Sequence, residues 1–255
     1  MEAKLYVILG SHACRTGMLL LEHKGIEYRR VELPTGFHPV VLRLLGFAAN
    51  EKPFRLLGDR STPGIEMADR LGTVPSLVVD GRRVKTNREI ARHLDQIQPD
   101  PPLFPADPDR REAVEEAERW GDEVLQMVAR RLGAAACVHG LDGLIGGGQD
   151  GRLGPLLWRR PTARRLGIRL VAHFFRAGGR SEQELLASLP AMLDRMDGWI
   201  EAGVLNGDRL YAADYMIAPS LALLSYRRDA RAEIEGRPAL ALLDRVLPEP
   251  AAQPV

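Results

Sequence analysis

The stretch GTVPSLVVDGRRVKTNREIARHL, Gly72 to Leu94, decides the fold. Ser76-Leu77-Val78-Val79 is a short apolar run, and Asp80-Gly81 is a strong two-residue hairpin signal. Arg82 to Lys85 returns as a second strand. Thr86-Asn87-Arg88-Glu89 reads as a capping box, with Thr and Glu three apart, and opens a helix. Ile90, Leu94 and Ile97 recur along it at helical spacing. Val74-Pro75 stands in front of the hairpin. A proline that opens a strand gives up a ladder donor, so it belongs at an edge, a bulge or a cis bend.

Upstream, Lys4 to Leu9 reads as a short buried strand and Gly10-Ser11-His12-Ala13 as the turn after it. A helix follows from about Cys14, with Cys14, Met18 and Leu21 on one face and Arg15, Glu22 and His23 toward solvent. Lys24-Gly25 is a helix stop, and Ile26 to Leu33 reads as a second strand. Strand, helix, strand implies a parallel pair. With the hairpin and helix above, the order over residues 1–98 is βαβ then ββα, that of a thioredoxin-like domain. The connection from Pro34 to Thr73 is long for a compact domain. Val40, Val41, Leu44 and Leu45 suggest a short helix there after Pro39, and Gly58 to Gly64 is rich in turn residues.

Prolines crowd the stretch from Ile97 to Asp109, which marks residues 99–107 as a linker. The remainder, 108–255, reads as all helical. Asp107-Pro108 supplies an acidic cap and a first-turn proline. Ala117, Gly121, Val124, Val128 and Leu132 then form a helical stripe, with Trp120 and Met127 beside it. Residues 133–155 are glycine-rich and expected to be loose. Gly146-Gly147-Gly148 follows no strand and lacks both G-x-G-x-x-G and a P-loop lysine, which argues against phosphate binding. Arg164 to Arg176 looks helical. Ser181-x-x-Glu184 is expected to cap another helix, with Leu185, Leu189, Met192, Met196 and Trp199 inward and a kink at Pro190. Ala213 to Leu224 is apolar on nearly every face and so reads as a buried central helix. The fold class is therefore an α/β half followed by an all-α helical bundle.

A formal net charge of +1 gives no general reason to expect nucleic acid or an anionic membrane as partner. Two cysteines, Cys14 and Cys137, cannot build a disulfide framework and favour a reducing compartment. The N-terminus lacks a signal-peptide pattern and no run reaches membrane-spanning length. A cytoplasmic protein without a membrane partner is expected. His12-x-Cys14 has no second ligand pair, and the other histidines are scattered, so no metal is expected.

A thioredoxin-like half followed by a helical half resembles the glutathione transferase superfamily. LGSHACRTGMLLLEHKGIEY looks like that family's first strand, catalytic turn and first helix, with Ser11 where theta- and zeta-like members carry a catalytic Ser and omega-like members a Cys. Val74-Pro75 looks like its cis-proline step, and Ala213-Asp214 is similar to the folding motif of its helical domain. The resemblance covers nearly the whole chain. It implies a soluble homodimeric transferase that joins glutathione, as co-substrate, to an electrophilic apolar compound in detoxification. Ser11 would stabilise the thiolate, while Val74 and Pro75 would bind the cysteinyl part of glutathione and Thr86 and Asn87 its γ-glutamyl carboxylate.

Two positions depart from the family pattern. Thr86-Asn87 stands where an acidic residue and Ser are usual, so no acid remains to meet the ligand's ammonium. Tyr211 stands where the folding motif has Ser or Thr. The thiol is therefore glutathione or another low-molecular-weight thiol.

Each candidate residue also has a plainer role. Ser11 is a good helix cap and Cys14 a good small packing residue. Trp120, Val124 and Met127 suit either a second-substrate pocket between the halves or simple core. A Cys14-dependent thiol-disulfide or peroxide reductase, and a scaffold that kept the fold without the chemistry, remain the alternatives.

Overall fold

The structure is a computed structural model of the chain, and it describes residues 1–48, 74–139, 141–156, 177 and 179–250. The turn expected at 58–64 and the helix expected at 164–176 lie outside the described residues.

The N-terminal half runs β1 (Ala3–Val7), α1 (His12–His23), β2 (Arg29–Glu32), α2 (His38–Leu44), β3 (Ser76–Val79), β4 (Arg82–Lys85) and α3 (Asn87–Ile97). Its sheet has the order β2-β1-β3-β4. Strands β1 and β2 are parallel in register Lys4↔Arg29, and β1 and β3 are antiparallel in register Leu5↔Leu77. Asp80 (φ 46) and Gly81 (φ 82) make the hairpin that pairs Val79 with Arg82. Strand β2 starts three residues later than the apolar pattern suggests. Gly25 (φ 63) and Ile26 close α1 instead, donating to the Glu22 and Leu21 carbonyls at 3.1 and 3.0 Å. That pair of bonds is the Schellman stop, and it turns Ile26 into the core rather than along the sheet.

From α3 onward the architecture is helical. α4 (Pro108–Trp120) opens on Asp107, whose carboxylate accepts from the Arg110 N–H at 2.9 Å. The stripe read as one helix is interrupted: Gly121–Leu125 is a π-helical turn, and α5 (Gln126–His139) follows. Gly121 is where this rod meets the buried helix, since a Cβ there would stand 2.9 Å from Ile217 Cγ1. The glycine-rich region begins later than expected, because the alanines at 134–136 extend α5 to His139. Two short 3-10 turns, Leu141–Gly143 and Ile145–Gly148, come next.

α6 (Gly179–Glu201) starts two residues before Ser181, which therefore lies in its first turn rather than capping it, and it runs on through Pro190. α7 (Ala212–Leu224) is buried along its whole length, and α8 (Arg228–Ile234) and α9 (Pro238–Val246) complete the bundle. At the head of α7 the Asp214 carboxylate accepts from the Asn206 and Tyr211 N–H groups, both at 2.7 Å. The Tyr211 carbonyl takes the Asp214 N–H at 3.0 Å, so backbone replaces the missing hydroxyl. Burial still pushes the Asp214 carboxyl up to about 6.

The two halves share one hydrophobic core, with α1 packed along α7. The connection between them is held down by a lysine. Lys24, fully buried, donates to Asp95 Oδ1 at 2.6 Å, to the Gln98 carbonyl at 2.7 Å and to the Pro101 carbonyl at 2.6 Å. All three ammonium protons are thereby used. Asp95 Oδ1 also accepts from the Leu103 N–H at 2.8 Å.

Candidate active site

The turn after β1 is shaped by Gly10 at φ +67, a conformation that suits glycine. Ser11 then caps α1 from an extended conformation, its Oγ accepting from the Cys14 N–H at 3.2 Å. A hydroxyl offers two acceptor sites and one proton. Serving as the cap consumes one acceptor site, and the O–H group also lies within hydrogen-bond reach of the Cys14 thiol. The capping and functional roles of this half-buried serine are therefore compatible.

The Val74-Pro75 bond is cis. Val74 stands outside the ladder, whose last β1–β3 pair is Tyr6↔Ser76. α1 passes this step closely at Gly17, where a Cβ would lie 3.1 Å from the Pro75 ring and 3.4 Å from Asn87 Oδ1. The third segment is the head of α3. Thr86 caps it, accepting from the Glu89 N–H at 3.3 Å. It does so at φ 60, ψ 146, a region costly for a β-branched residue by about 1–3 kcal/mol.

Asn87 is brought to the site but turned inward. It is buried, and its Nδ2 donates to the Ala13 carbonyl at 2.9 Å, tying α3 to the first turn of α1. Its Oδ1 is buried without a hydrogen-bond partner among the described residues. Of the pair expected to face a carboxylate, Thr86 is left in place and the Asn87 amide is committed elsewhere.

Cys14 is 1 % exposed, and burial pushes its thiol up, with hydrogen bonds from Ser11 and the Ile8 backbone offsetting part of that. It therefore sits in the core as a neutral thiol. Met127 and Trp120 are also buried. Trp120 meets the half-buried Trp199 edge-on at 5.4 Å, and Val124 is half-buried as well.

His12 was not singled out as a site residue by its sequence context. It is buried, and its Nε2 lies 3.2 Å from the Gln126 carbonyl oxygen, so Nε2 carries the proton and donates. The turn is thus fastened to α5 of the helical half. Its sequence signals are its place next to Ser11 and the His12-x-Cys14 spacing, and neither points to this contact. Behind α3, the fully buried Glu118 of α4 faces Arg92 at 2.8 Å and Arg88 at 3.7 Å. Loss of water outweighs the two guanidinium groups and pushes its carboxyl up to about 7. The described residues hold no cluster of His, Cys, Asp or Glu suited to a metal, and none of their helices is long and apolar enough to cross a membrane.

No protein-family model and no curated protein matches the chain. Solved structures do. A glutathione S-transferase from Rhodospirillum rubrum F11 aligns over 99% of this chain and 96% of its own, at 19% identity and TM-score 0.55. The beta-etherase LigF from Sphingobium sp. strain SYK-6 aligns over 100% and 96%, at 18% identity and TM-score 0.61. The glutathione S-transferase CsGST83044 of Ceriporiopsis subvermispora, solved in complex with glutathione, aligns over 96% of each chain at 18% identity and TM-score 0.59. The chain has the fold of the glutathione transferases: a thioredoxin-like half followed by a helical half.

Proposed function

We propose that the chain is a transferase that joins a low-molecular-weight thiol, glutathione by default, to an electrophilic apolar compound. The observation that carries this reading is the Ser11 hydroxyl, half-buried at the N-terminus of α1, the helix that meets the cis Val74-Pro75 step at Gly17. A thiol attacks only as thiolate, and donation to the charged sulfur lowers its pKa. The N-terminus of α1 adds positive potential. The sulfur lone pair forms a bond to the electrophilic carbon, the leaving group departs or the π electrons shift away, and the thiol proton goes to solvent. The Val74 peptide groups pair with the thiol's backbone. Thr86 and the free N–H groups at the head of α3 hold its carboxylate. Asn87 keeps α3 and α1 in register rather than touching the ligand. That CsGST83044, which shares this fold, was solved in complex with glutathione supports glutathione as the first thiol to test.

The buried, neutral Cys14 speaks against the reductase alternative. The inward Asn87, together with no acid at Thr86, favours a second reading, in which the thiol is not glutathione or the chemistry has been lost. Retention on immobilised glutathione, followed by conjugation assays of wild type and Ser11→Ala, separates these. The proposal expects retention, and a Ser11→Ala rate that is reduced about tenfold or more near neutral pH and partly recovers at higher pH. No retention and no conjugation with any of several cellular thiols would remove it.

A further inference from the structure

Glu118 of α4 is a buried charge that the proposed chemistry does not use. It is fully buried, and the two arginines that face it both belong to α3. Arg92 Nη1 donates to Glu118 Oε1 at 3.0 Å and lies 2.8 Å from Oε2. The same Nη1 donates to the Arg88 carbonyl at 3.1 Å, and the Arg92 guanidinium rests 4.8 Å from the centre of the buried Phe104 ring. Arg88 reaches the same carboxylate, with its Nε 3.7 Å from Oε2. Both of those atoms are buried, and Arg88 Nε makes no hydrogen bond among the described residues. On its other side Arg88 Nη1 donates to Glu123 Oε1 at 3.2 Å, in the π turn.

Stability is a poor explanation for this cluster. Taking a carboxylate out of water costs about what its partners return, so buried ion pairs add little. Burial accordingly pushes the Glu118 carboxyl up to about 7 in spite of both guanidinium groups. What the cluster does fix is geometry. Arg88 directly follows Thr86 and Asn87, and its own carbonyl is one of the Arg92 contacts. Glu118 therefore grips the first two turns of α3 from α4, while the Asn87 amide grips the same head from α1. α4 is itself packed against the buried α7. The helical half thus shares in setting where the head of α3 stands.

We propose that Glu118 is a positioning residue for the thiol site: through Arg88 and Arg92 its charge holds the head of α3 where that helix meets the thiol's carboxylate. The proposal rests on the role given to α3 above, so its test includes a readout that needs no thiol. Glu118→Gln keeps the side chain's size and an oxygen for Arg92, and it removes the charge that draws Arg88. In that variant KM for glutathione is expected to rise about fivefold, the lower end of coupling between sites in one molecule. kcat is expected to stay the same, because only binding shared by ground and transition state is lost. The urea midpoint is expected to hold, because the Arg88 and Arg92 side chains, 32% and 33% exposed, keep contact with water. Arg88→Ala is expected to raise KM as well, and Glu118→Gln added to it to cost little more.

Without any thiol, amide hydrogen exchange reports on the same hold. The Glu89 and Ile90 N–H groups donate to the Thr86 hydroxyl and carbonyl. In Glu118→Gln their exchange is expected to be about fivefold faster than in wild type at the same pH, with the amides of α1 unchanged. An unchanged KM or an unchanged exchange rate in that variant overturns the proposal. So does a fall in kcat alone, or faster exchange throughout α1 and α3 with a lower urea midpoint, which is general loosening. Wild-type protein that binds no thiol removes the reading of the site, and the exchange rates then judge by themselves whether Glu118 holds α3.

Discussion

A serine that caps a helix has accepted one hydrogen bond and keeps its O–H group, which is what the proposed thiolate role asks of Ser11. Cys14, three residues on, has the opposite disposition: burial keeps its thiol protonated. Cys14→Ser is therefore expected to leave conjugation rates within about twofold of wild type while lowering stability by about 1 kcal/mol, measured by initial rates and urea midpoint. Loss of all activity in that variant would shift the chemistry to the cysteine. Lys24 supports the fold from inside. It is buried with three acceptors around it, so Lys24→Met should destabilise the protein by about 3 kcal/mol, because it strands the Asp95 carboxylate and two carbonyls. An unchanged urea midpoint would show that the linker is not held by this cluster.

Among the elements, those written in local chemistry were readable before any coordinates. Asp80-Gly81 demanded a hairpin, Thr86 a cap, and the all-apolar run after Ala213 a buried helix, because turn geometry, capping and periodicity are short-range properties. Features that depend on a distant partner were not. Gly121 fits the helical stripe perfectly well, and only the approach of Ile217 and Met216 shows why glycine stands there, at a π turn. Similarly, Asn87 has the right spacing for a ligand contact, yet the Ala13 carbonyl claims its amide. The His12–Gln126 and Gly10–Leu156 contacts join residues more than a hundred positions apart, which no local pattern reports. The crossing at Gly121 gives a direct test. Gly121→Ala would place a methyl 2.9 Å from Ile217 and 3.1 Å from Met216. Overpacking of that kind should lower stability by about 1–3 kcal/mol despite the gain in helix propensity. A more stable variant in thermal unfolding would mean that the crossing yields easily.

On the scale of the whole molecule, the contact between the halves carries a buried charge. The Glu118 carboxyl is raised from 4.5 to about 7 by burial, against Arg92 and Arg88, with Asp122 pushing the same way. A raised carboxyl contributes stability that is fully present below its unfolded value and is lost as pH rises through the folded one. The unfolding free energy of wild type relative to Glu118→Gln should therefore fall between pH 4.5 and about 7, by roughly 2–3 kcal/mol. A rise over the same range would show that the arginines dominate. Assembly bears on the molecule as a whole too. Phe37, Val40 and Leu44 expose apolar surface at helical spacing on and beside α2. A homodimer is the expected state, and a monomer mass by light scattering at micromolar concentration would exclude it. The proposed outcome is a thiol held ionised at the Ser11 turn. The most direct measurement is the thiolate absorbance of the protein–glutathione complex against pH. The account predicts a bound thiol that ionises at least one pH unit below free glutathione, worth about 1.4 kcal/mol of preference for the thiolate. A bound thiol that titrates at the free value would contradict it.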